Sequence, residues 1–133
     1  PEGSNWEAAA AAAKFGLDNL TVFVDNNGLQ ISGKVGDVMN MEPIDGKFAA
    51  FGWATKVIDG NDMDAIVDVL DQLPLEKGKP SAIVLKTVKA KGLSFGEDKA
   101  SFHFWDSTEE LLQQGEREQD EVLAALDKEM EGL

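Results

Sequence analysis

The sequence contains no cysteine, which excludes disulfide bonds, thiolate nucleophiles and cysteine-ligated metals and is compatible with a reducing compartment. Basic residues are scarce as well. The 12 Lys and Arg residues stand against 25 Asp and Glu residues, so the formal net charge is −13. Because neutralisation of phosphates by Lys and Arg supplies most of the affinity for nucleic acids, this balance argues against a nucleic-acid-binding protein.

Long apolar runs are also absent. The longest one, residues 8–13, is far shorter than the roughly 20 residues that a membrane-spanning helix needs. The sequence has no basic segment followed by an apolar stretch, so no signal peptide is predicted. The sequence opens with Pro1 and not with Met, so we expect it to have been processed or cut from something longer. With 43% hydrophobic and 28% charged residues in 133, we expect one acidic, soluble, cytoplasmic domain without a membrane partner.

Helix and strand patterns alternate along the chain. Ser4 and Glu7 form a capping-box pattern before the alanine run, which predicts a helix that ends near Gly16. Residues 20–24 are apolar on both faces and predict a strand buried in a parallel sheet, and residues 53–58 and 82–85 predict two more strands. Further helices are predicted over residues 43–51, and over 62–73 with Asp62 as cap and an apolar stripe of Met63, Ile66, Val67, Leu70 and Leu73. A last helix is predicted over residues 107–130, where Ser107 and Glu110 mark the start, with a break at Gly115.

This order of elements indicates βαβ units, and therefore an α/β fold with a mostly parallel sheet and helices on both faces. In such folds the functional residues lie at the carboxyl ends of the strands. Two segments occupy these ends here, namely residues 25–31 and the long loop of residues 86–105. Because a loop of that length is usually functional, both segments are candidate parts of a site.

The bend over residues 25–30 is the strongest chemical feature of the sequence. A tight turn after a strand can present the Asn27 amide oxygen and the Leu29 carbonyl oxygen to one hard cation such as Mg²⁺. Asp-Asn-Asn-Gly is also an ordinary turn sequence, and spacing alone favours that interpretation.

Several motifs in order resemble the thiamine-diphosphate-binding domain of transketolase, and more narrowly the N-terminal subunit of transketolases that are split over two chains. The similarity covers nearly the whole chain, which makes it more specific than any one motif. It rests on Glu2-Gly3 with Trp6-Glu7-Ala8, Leu17 to Leu20, Asp25 to Gly33, Phe51-Gly52-Trp53, Ile58-Asp59-Gly60, Gly78-Lys79-Pro80 and Lys86 to Gly92.

The resemblance implies a thiamine-diphosphate-binding fold in which residues 1–133 form the C-terminal part of the diphosphate-binding domain. It places Asn27 and Leu29 on the ligand positions for Mg²⁺ (or Ca²⁺), and Gly28 and Ile31 on cofactor-binding positions. The family motif begins with Gly-Asp-Gly, whose Asp would be a third protein ligand. That half of the motif should lie upstream of Glu2, just before Pro1, so the metal site of this sequence is expected to be incomplete.

Three further residues fall on positions with a catalytic role in this family. Glu2 and Glu7 match acidic positions at the dimer interface, although a glutamate near a helix start also favours the helix dipole and completes a cap. His103 matches a histidine near the coenzyme diphosphate that positions substrate and moves protons. Beside Phe102, Phe104 and Trp105 it could equally be a packed member of an aromatic cluster.

Other features have simpler interpretations. Lys86, Lys89 and Lys91 could attract phosphorylated sugars, but a solvated strand end is favoured for them. The acidic last helix is expected to be a solvent-exposed face. Trp6, Phe51 and Trp53 are expected in the core or at an interface.

The resemblance also implies an activity, the transfer of a two-carbon ketol unit between sugar phosphates. The chain is expected to be inactive alone and to need a C-terminal transketolase subunit with the pyrimidine-binding site, in a homodimer or heterotetramer. One alternative is another thiamine-diphosphate enzyme, such as deoxyxylulose-phosphate synthase or a 2-oxo acid dehydrogenase component. The other is a non-catalytic α/β interaction domain that has lost the site.

Overall fold

The computed structural model describes residues 2–132, and Pro1, where the sequence begins, lies outside the described residues. The helices are α1 (Gly3–Lys14), α2 (Val35–Val38), α3 (Ile44–Ala50), α4 (Met63–Asp71) and α5 (Glu109–Glu131). The strands are β1 (Thr21–Asn26), β2 (Leu29–Gln30), β3 (Gly33–Lys34), β4 (Ala54–Asp59) and β5 (Ser81–Lys86). A short 3₁₀ helix covers Ala100–His103.

The main sheet has three parallel strands in the order β1-β5-β4, with β5 in the centre. The chain crosses from β1 to β4 through α3 and returns to β5 through α4. Since these crossovers run in opposite directions across the sheet, a common right hand places α3 and α4 on opposite faces. This arrangement confirms the predicted α/β class.

The core lies where α1 and α3 cover the sheet. Ala9 and Ala12 of α1 pack with Phe48, Trp53 and the central-strand residue Ala82, and all five are buried. The indole N–H of Trp53 donates to the Ala9 carbonyl oxygen at 2.9 Å, so the one polar group of this side chain is satisfied in the core. The small alanine side chains of α1 permit this close approach of helix and indole.

The predicted capping box is wrong. Helix α1 begins at Gly3 with Glu2 as N-cap, and Glu2 makes no side-chain capping hydrogen bond. Ser4 therefore lies inside the first turn, where its hydroxyl cannot take the N-cap role. The cap of α4 is confirmed, since the Asp62 carboxylate accepts from the Asp64 and Ala65 backbone N–H groups at 3.0 and 3.3 Å.

The burial of two elements differs from the prediction. In α4 the fully buried residue is Val69, whereas Met63 of the predicted apolar stripe is 68% exposed. Strand β1 was predicted to be buried on both faces, but Phe23 is 46% exposed. Within residues 2–132, β1 is an edge strand of the three-stranded sheet.

The C-terminal helix is continuous through Gly115, so the predicted break is wrong. Its cap is Thr108 and not Ser107, because the Thr108 hydroxyl accepts from the Leu111 N–H at 3.3 Å. The small antiparallel pair β2–β3 and the short helix α2 were not predicted. None of the helices in residues 2–132 is long and apolar enough to cross a bilayer.

Candidate functional site

The two candidate segments meet at one edge of the sheet. Strands β1 and β5 are parallel neighbours, and their last residues, Asn26 and Lys86, are partners in the register. The bend that follows β1 therefore starts beside the long loop that follows β5. This adjacency is what the strand order β1-β5-β4 contributes to the site.

The bend after β1 is held by its own hydrogen bonds. The Asn27 side-chain oxygen accepts from the Leu29 backbone N–H at 3.0 Å. Gly28 between them has a φ of +74°, a left-handed conformation that favours glycine. The Gly28 carbonyl oxygen accepts from the Val35 N–H at 2.9 Å, which ties the bend to the start of α2.

Asp25 orients the other end of the Asn27 amide. The Asp25 carboxylate lies 3.5 Å from the Asn27 side-chain nitrogen and accepts a short hydrogen bond from the Thr87 hydroxyl. The Asn27 nitrogen thus points to Asp25 and its oxygen to the Leu29 N–H. Both contacts fix the amide before any ligand binds.

An open cleft of about 430 Å³ lies against this bend. It is lined by the predicted residues Asn27, Leu29, Ile31 and His103, although His103 lies far from the other three in the sequence. Gly28 shapes the bend but does not line the cleft. The other lining residues are Gln30, Ser32, Val38, Lys89 and Ala100.

His103 ends the 3₁₀ helix and is exposed at the cleft. Its ring meets Phe104 edge-on, with centroids 4.5 Å apart. The packed aromatic cluster consists of Phe95, Phe102 and Trp105, with centroid distances of 5.1 to 5.9 Å. His103 lies beside this cluster, with Phe104 as its aromatic neighbour.

The three loop lysines have different environments. Lys86 pairs with Glu42 at 2.6 Å, and Lys91 pairs with Glu97 at 3.0 Å. Lys89 is half-buried, lines the cleft and makes no ion pair within residues 2–132. Lys89 is therefore the one of these three lysines that lines the cleft.

Glu42 does not line the cleft, but it contacts the strand ends beside it. This residue was not identified from the sequence. Its carboxylate accepts from the Asn26 side chain at 2.7 Å and from Lys86 at 2.6 Å. The Asn26 hydrogen bond first, and then that of Lys86, lower the pKa of Glu42 from 4.5 to about 2. It thereby joins the ends of β1 and β5. No local signal identifies it, because its partners lie 16 and 44 residues away.

The two predicted acidic residues lie away from the cleft. Glu2 lines a separate recess of about 470 Å³ formed with α1, β1 and α3. Glu7 is exposed on α1. The structure does not bring either of them together with His103.

The bend carries two oxygen atoms of the type that hard cations bind, the Asn27 amide oxygen and the Leu29 carbonyl oxygen. An amide oxygen and a carbonyl oxygen are ligands that suit Mg²⁺ and Ca²⁺, and Mg²⁺ commonly takes its other ligands from phosphates and water. Residues 2–132 contain no group of three His, Asp or Glu side chains that could hold a metal by itself. The residues present therefore fit a cation shared with a phosphorylated ligand, and not an independent metal centre.

Comparison with known proteins identifies the family of the chain. Residues 1–111 match the family described as "Transketolase, thiamine diphosphate binding domain". A 6-deoxy-6-sulfo-D-fructose transketolase subunit from a Clostridium species is 44% identical over 110 residues, which cover 83% of this chain and 40% of that protein. An apulose-4-phosphate transketolase subunit from Phocaeicola vulgatus is 36% identical over 131 residues, or 98% of this chain and 47% of that one.

The fold is shared with a solved transketolase. The crystal structure of transketolase from Campylobacter jejuni superposes with a TM-score of 0.79 and 32% identity over 87% of this chain and 18% of that one. The chain thus spans less than half the length of these relatives. Since the family match covers most of its residues, the chain belongs to the transketolase family, in the thiamine diphosphate-binding domain.

Proposed function

We propose that this chain is the diphosphate-binding part (residues 1–133) of a split transketolase, which transfers a two-carbon ketol unit from a ketose phosphate to an aldose phosphate. One observation carries the proposal: the Asn27–Leu29 bend and His103 line a single cleft at the carboxyl ends of β1 and β5. The turn interpretation does not explain why His103 and Lys89, from a distant loop, line the same cleft as the bend.

Each cleft residue has a defined task in this proposal. The Asn27 and Leu29 oxygens would hold Mg²⁺ (or Ca²⁺), Gly28 would give the bend its shape for cofactor binding, and Ile31 would line the cofactor-binding surface. Thiamine diphosphate, when bound, supplies the nucleophilic carbon that the reaction needs. His103 moves a proton to or from a substrate oxygen. Lys89 attracts the phosphate charges.

The proposal includes a second chain with the pyrimidine-binding site. Relatives of this chain are named as transketolase subunits, and the chain spans 40% to 47% of their length. Glu2 and Glu7, which lie outside the cleft, are proposed to face the neighbouring subunit in a homodimer or heterotetramer. We expect no activity from this chain alone and a cytoplasmic location for the assembly.

The test separates cofactor binding from turnover. The chain is mixed with its pyrimidine-binding partner, and thiamine diphosphate is titrated in by calorimetry with Mg²⁺ or with EDTA. Asn27→Ala should weaken the Mg²⁺-dependent binding by about tenfold or more, whereas His103→Ala should leave it intact and lower kcat by about 10²- to 10⁴-fold. Asn19→Ala, at the opposite end of β1, is the matched control and should change neither quantity.

The alternatives give different results. Absence of binding heat and of any Mg²⁺ effect would identify a non-catalytic interaction domain. Decarboxylation of pyruvate by the reconstituted pair, with no transfer between sugar phosphates, would identify another thiamine-diphosphate enzyme. Equal binding by the Asn27→Ala and wild-type chains would contradict the metal assignment.

A further inference from the structure

The last helix, α5, carries an apolar face along its whole length. At about 100° per residue its apolar positions fall on one arc of the helix, about 120° wide. These positions are Leu111, Leu112, Gly115, Val122, Leu123, Leu126 and Met130. A face of this width is typical of a helix that packs against another element, not of a helix that is solvated all round.

The loop after β5 packs on the first half of this face around Gly115, although Leu112 in that half is 49% exposed. Gly115 is buried, and Leu93 and Phe95 lie so close that a Cβ atom there would be 3.3 Å from the leucine and 3.7 Å from the phenylalanine. The Gln119 side chain donates to the Gly92 carbonyl oxygen at 2.8 Å, and Glu118 accepts from the Ser94 backbone N–H at 2.8 Å. This half of α5 is therefore fastened to the domain by both packing and hydrogen bonds.

The second half continues the same face without cover from residues 2–132. Val122 is 50% exposed, Leu123 58%, Leu126 49% and Met130 71%. We call these four residues the C-terminal seam. Because they extend a face that is already used for packing, the seam is a continuation of an internal interface and not a scatter of single surface residues.

This half of α5 is not stabilised by its own charges. Its last turns contain Asp127, Glu129 and Glu131 with only Lys128 as a basic residue. Negative charges at a helix C-terminus oppose the dipole, and a helical segment of about twelve residues is marginal in water without packing. A partner that covers the seam would therefore stabilise this segment.

The charges beside the seam define that partner. In the helical projection, Glu118 and Glu129 border the seam on one side, and Asp120 and Asp127 border it on the other. Arg117 and Lys128 project to the opposite face of the helix. The rim is therefore acidic on both sides, so pairing with a second copy of α5 would bring like charges together.

We propose that the C-terminal seam docks a protein partner that presents an amphipathic helix with an apolar face bordered by Lys and Arg. The apolar faces exclude water from each other, and the basic borders pair with the acidic rim. This proposal concerns a surface away from the cleft and does not rest on the proposed function.

Synthetic peptides test the proposal on the full chain. One peptide is an amphipathic helix with a leucine face and Lys/Arg borders, the second has the same face with Glu borders, and the third has the composition of the first in scrambled order. The first should bind, measured by fluorescence anisotropy, and the other two should bind about tenfold more weakly or worse.

Two sets of variants give the matched controls. Leu123→Gln with Leu126→Gln should weaken binding of the first peptide by about tenfold or more, whereas Ala124→Gln with Lys128→Arg, on the opposite face, should not change it. Asp120→Lys, Asp127→Lys and Glu129→Lys together should transfer the preference to the Glu-bordered peptide. Circular dichroism of each variant reports whether α5 remains helical.

Three results would overturn the proposal. If the scrambled peptide bound with the same affinity as the first peptide, binding would be due to charge attraction alone, and the seam would have no part in it. Unchanged binding in the double leucine variant would mean that the seam is not the contact surface. A wild-type dimer in sedimentation that the double leucine variant dissociates would assign the seam to a second copy of this chain.

Discussion

Gly60 lies where β4 ends beside β5, and a methyl group there should disturb the support of the candidate site. The Gly60 N–H donates to the Lys86 carbonyl oxygen at 2.8 Å, which holds the two strand ends together. A Cβ atom built on Gly60 would lie 2.5 Å from Thr87 Cγ2 and 2.7 Å from Leu85 Cβ. Thr87 in turn donates to Asp25, beside the bend.

The size of the destabilisation by Gly60→Ala depends on whether the neighbouring atoms can move away from the added methyl group. The Leu85 Cβ and Cα atoms, at 2.7 and 3.3 Å, belong to the central strand and cannot yield without shifting the sheet. Overpacking of this kind costs about 1–3 kcal/mol. Gly60→Ala should therefore lower the free energy of unfolding by that amount, which corresponds to about 3–5 °C in Tm per kcal/mol for a domain of this size.

Urea unfolding monitored by tryptophan fluorescence measures this change, with the m-value as a check on two-state behaviour. The matched control is Gly36→Ala, because a Cβ there meets nothing within 4 Å. That substitution lies in α2 and should change stability by less than about 1 kcal/mol, in the stabilising direction.

A second variant tests the assigned contact. Thr87→Ser removes the methyl group that clashes and retains the hydroxyl that donates to Asp25. Combined with Gly60→Ala it should restore part of the lost stability, with a coupling energy of about 0.5 kcal/mol or more. If Gly60→Ala unfolds at the wild-type urea concentration, or if Thr87→Ser gives no recovery, the reasoning is refuted.

Two further predictions concern the core and pH. Trp53→Phe removes the indole N–H that donates to Ala9 and should cost about 1–3 kcal/mol in urea unfolding, against a small change for Phe15→Leu, whose side chain is 73% exposed. Ionised Glu42, with its pKa lowered from 4.5 to about 2, stabilises the fold above pH 4.5 and loses this contribution as the pH falls toward 2. Glu42→Gln should therefore be less stable than wild type at pH 7, with a gap that closes over this range in acid unfolding curves; a constant gap would contradict the assignment.

Local sequence signals predicted the elements that depend on local chemistry. The cap at Asp62 was predicted because its carboxylate reaches backbone N–H groups only two and three residues away. The strand around residues 82–85 was predicted because Ala82, Ile83 and Val84 are buried on both faces, which requires a continuous apolar run. The α/β class followed from the alternation of such elements.

Errors arose where a distant segment decides the outcome. The pattern of residues 20–24 resembles that of β5, yet β1 lies at the edge and exposes Phe23. Gly115 was expected to break a helix, but its missing side chain makes room for Leu93 and Phe95, so the helix continues. Neither the strand order nor the packing partner is contained in the local pattern.

The candidate site divides in the same way. The sequence by itself determined the bend of Asn27, Gly28 and Leu29, because its hydrogen bond spans two residues and its left-handed φ needs glycine. Only the tertiary structure decided that β1 and β5 are neighbours, that His103 and Lys89 reach the bend, and that Glu42 joins the strand ends. Contacts between residues far apart in the chain depend on which strands pair, and pairing is settled by packing of the whole domain.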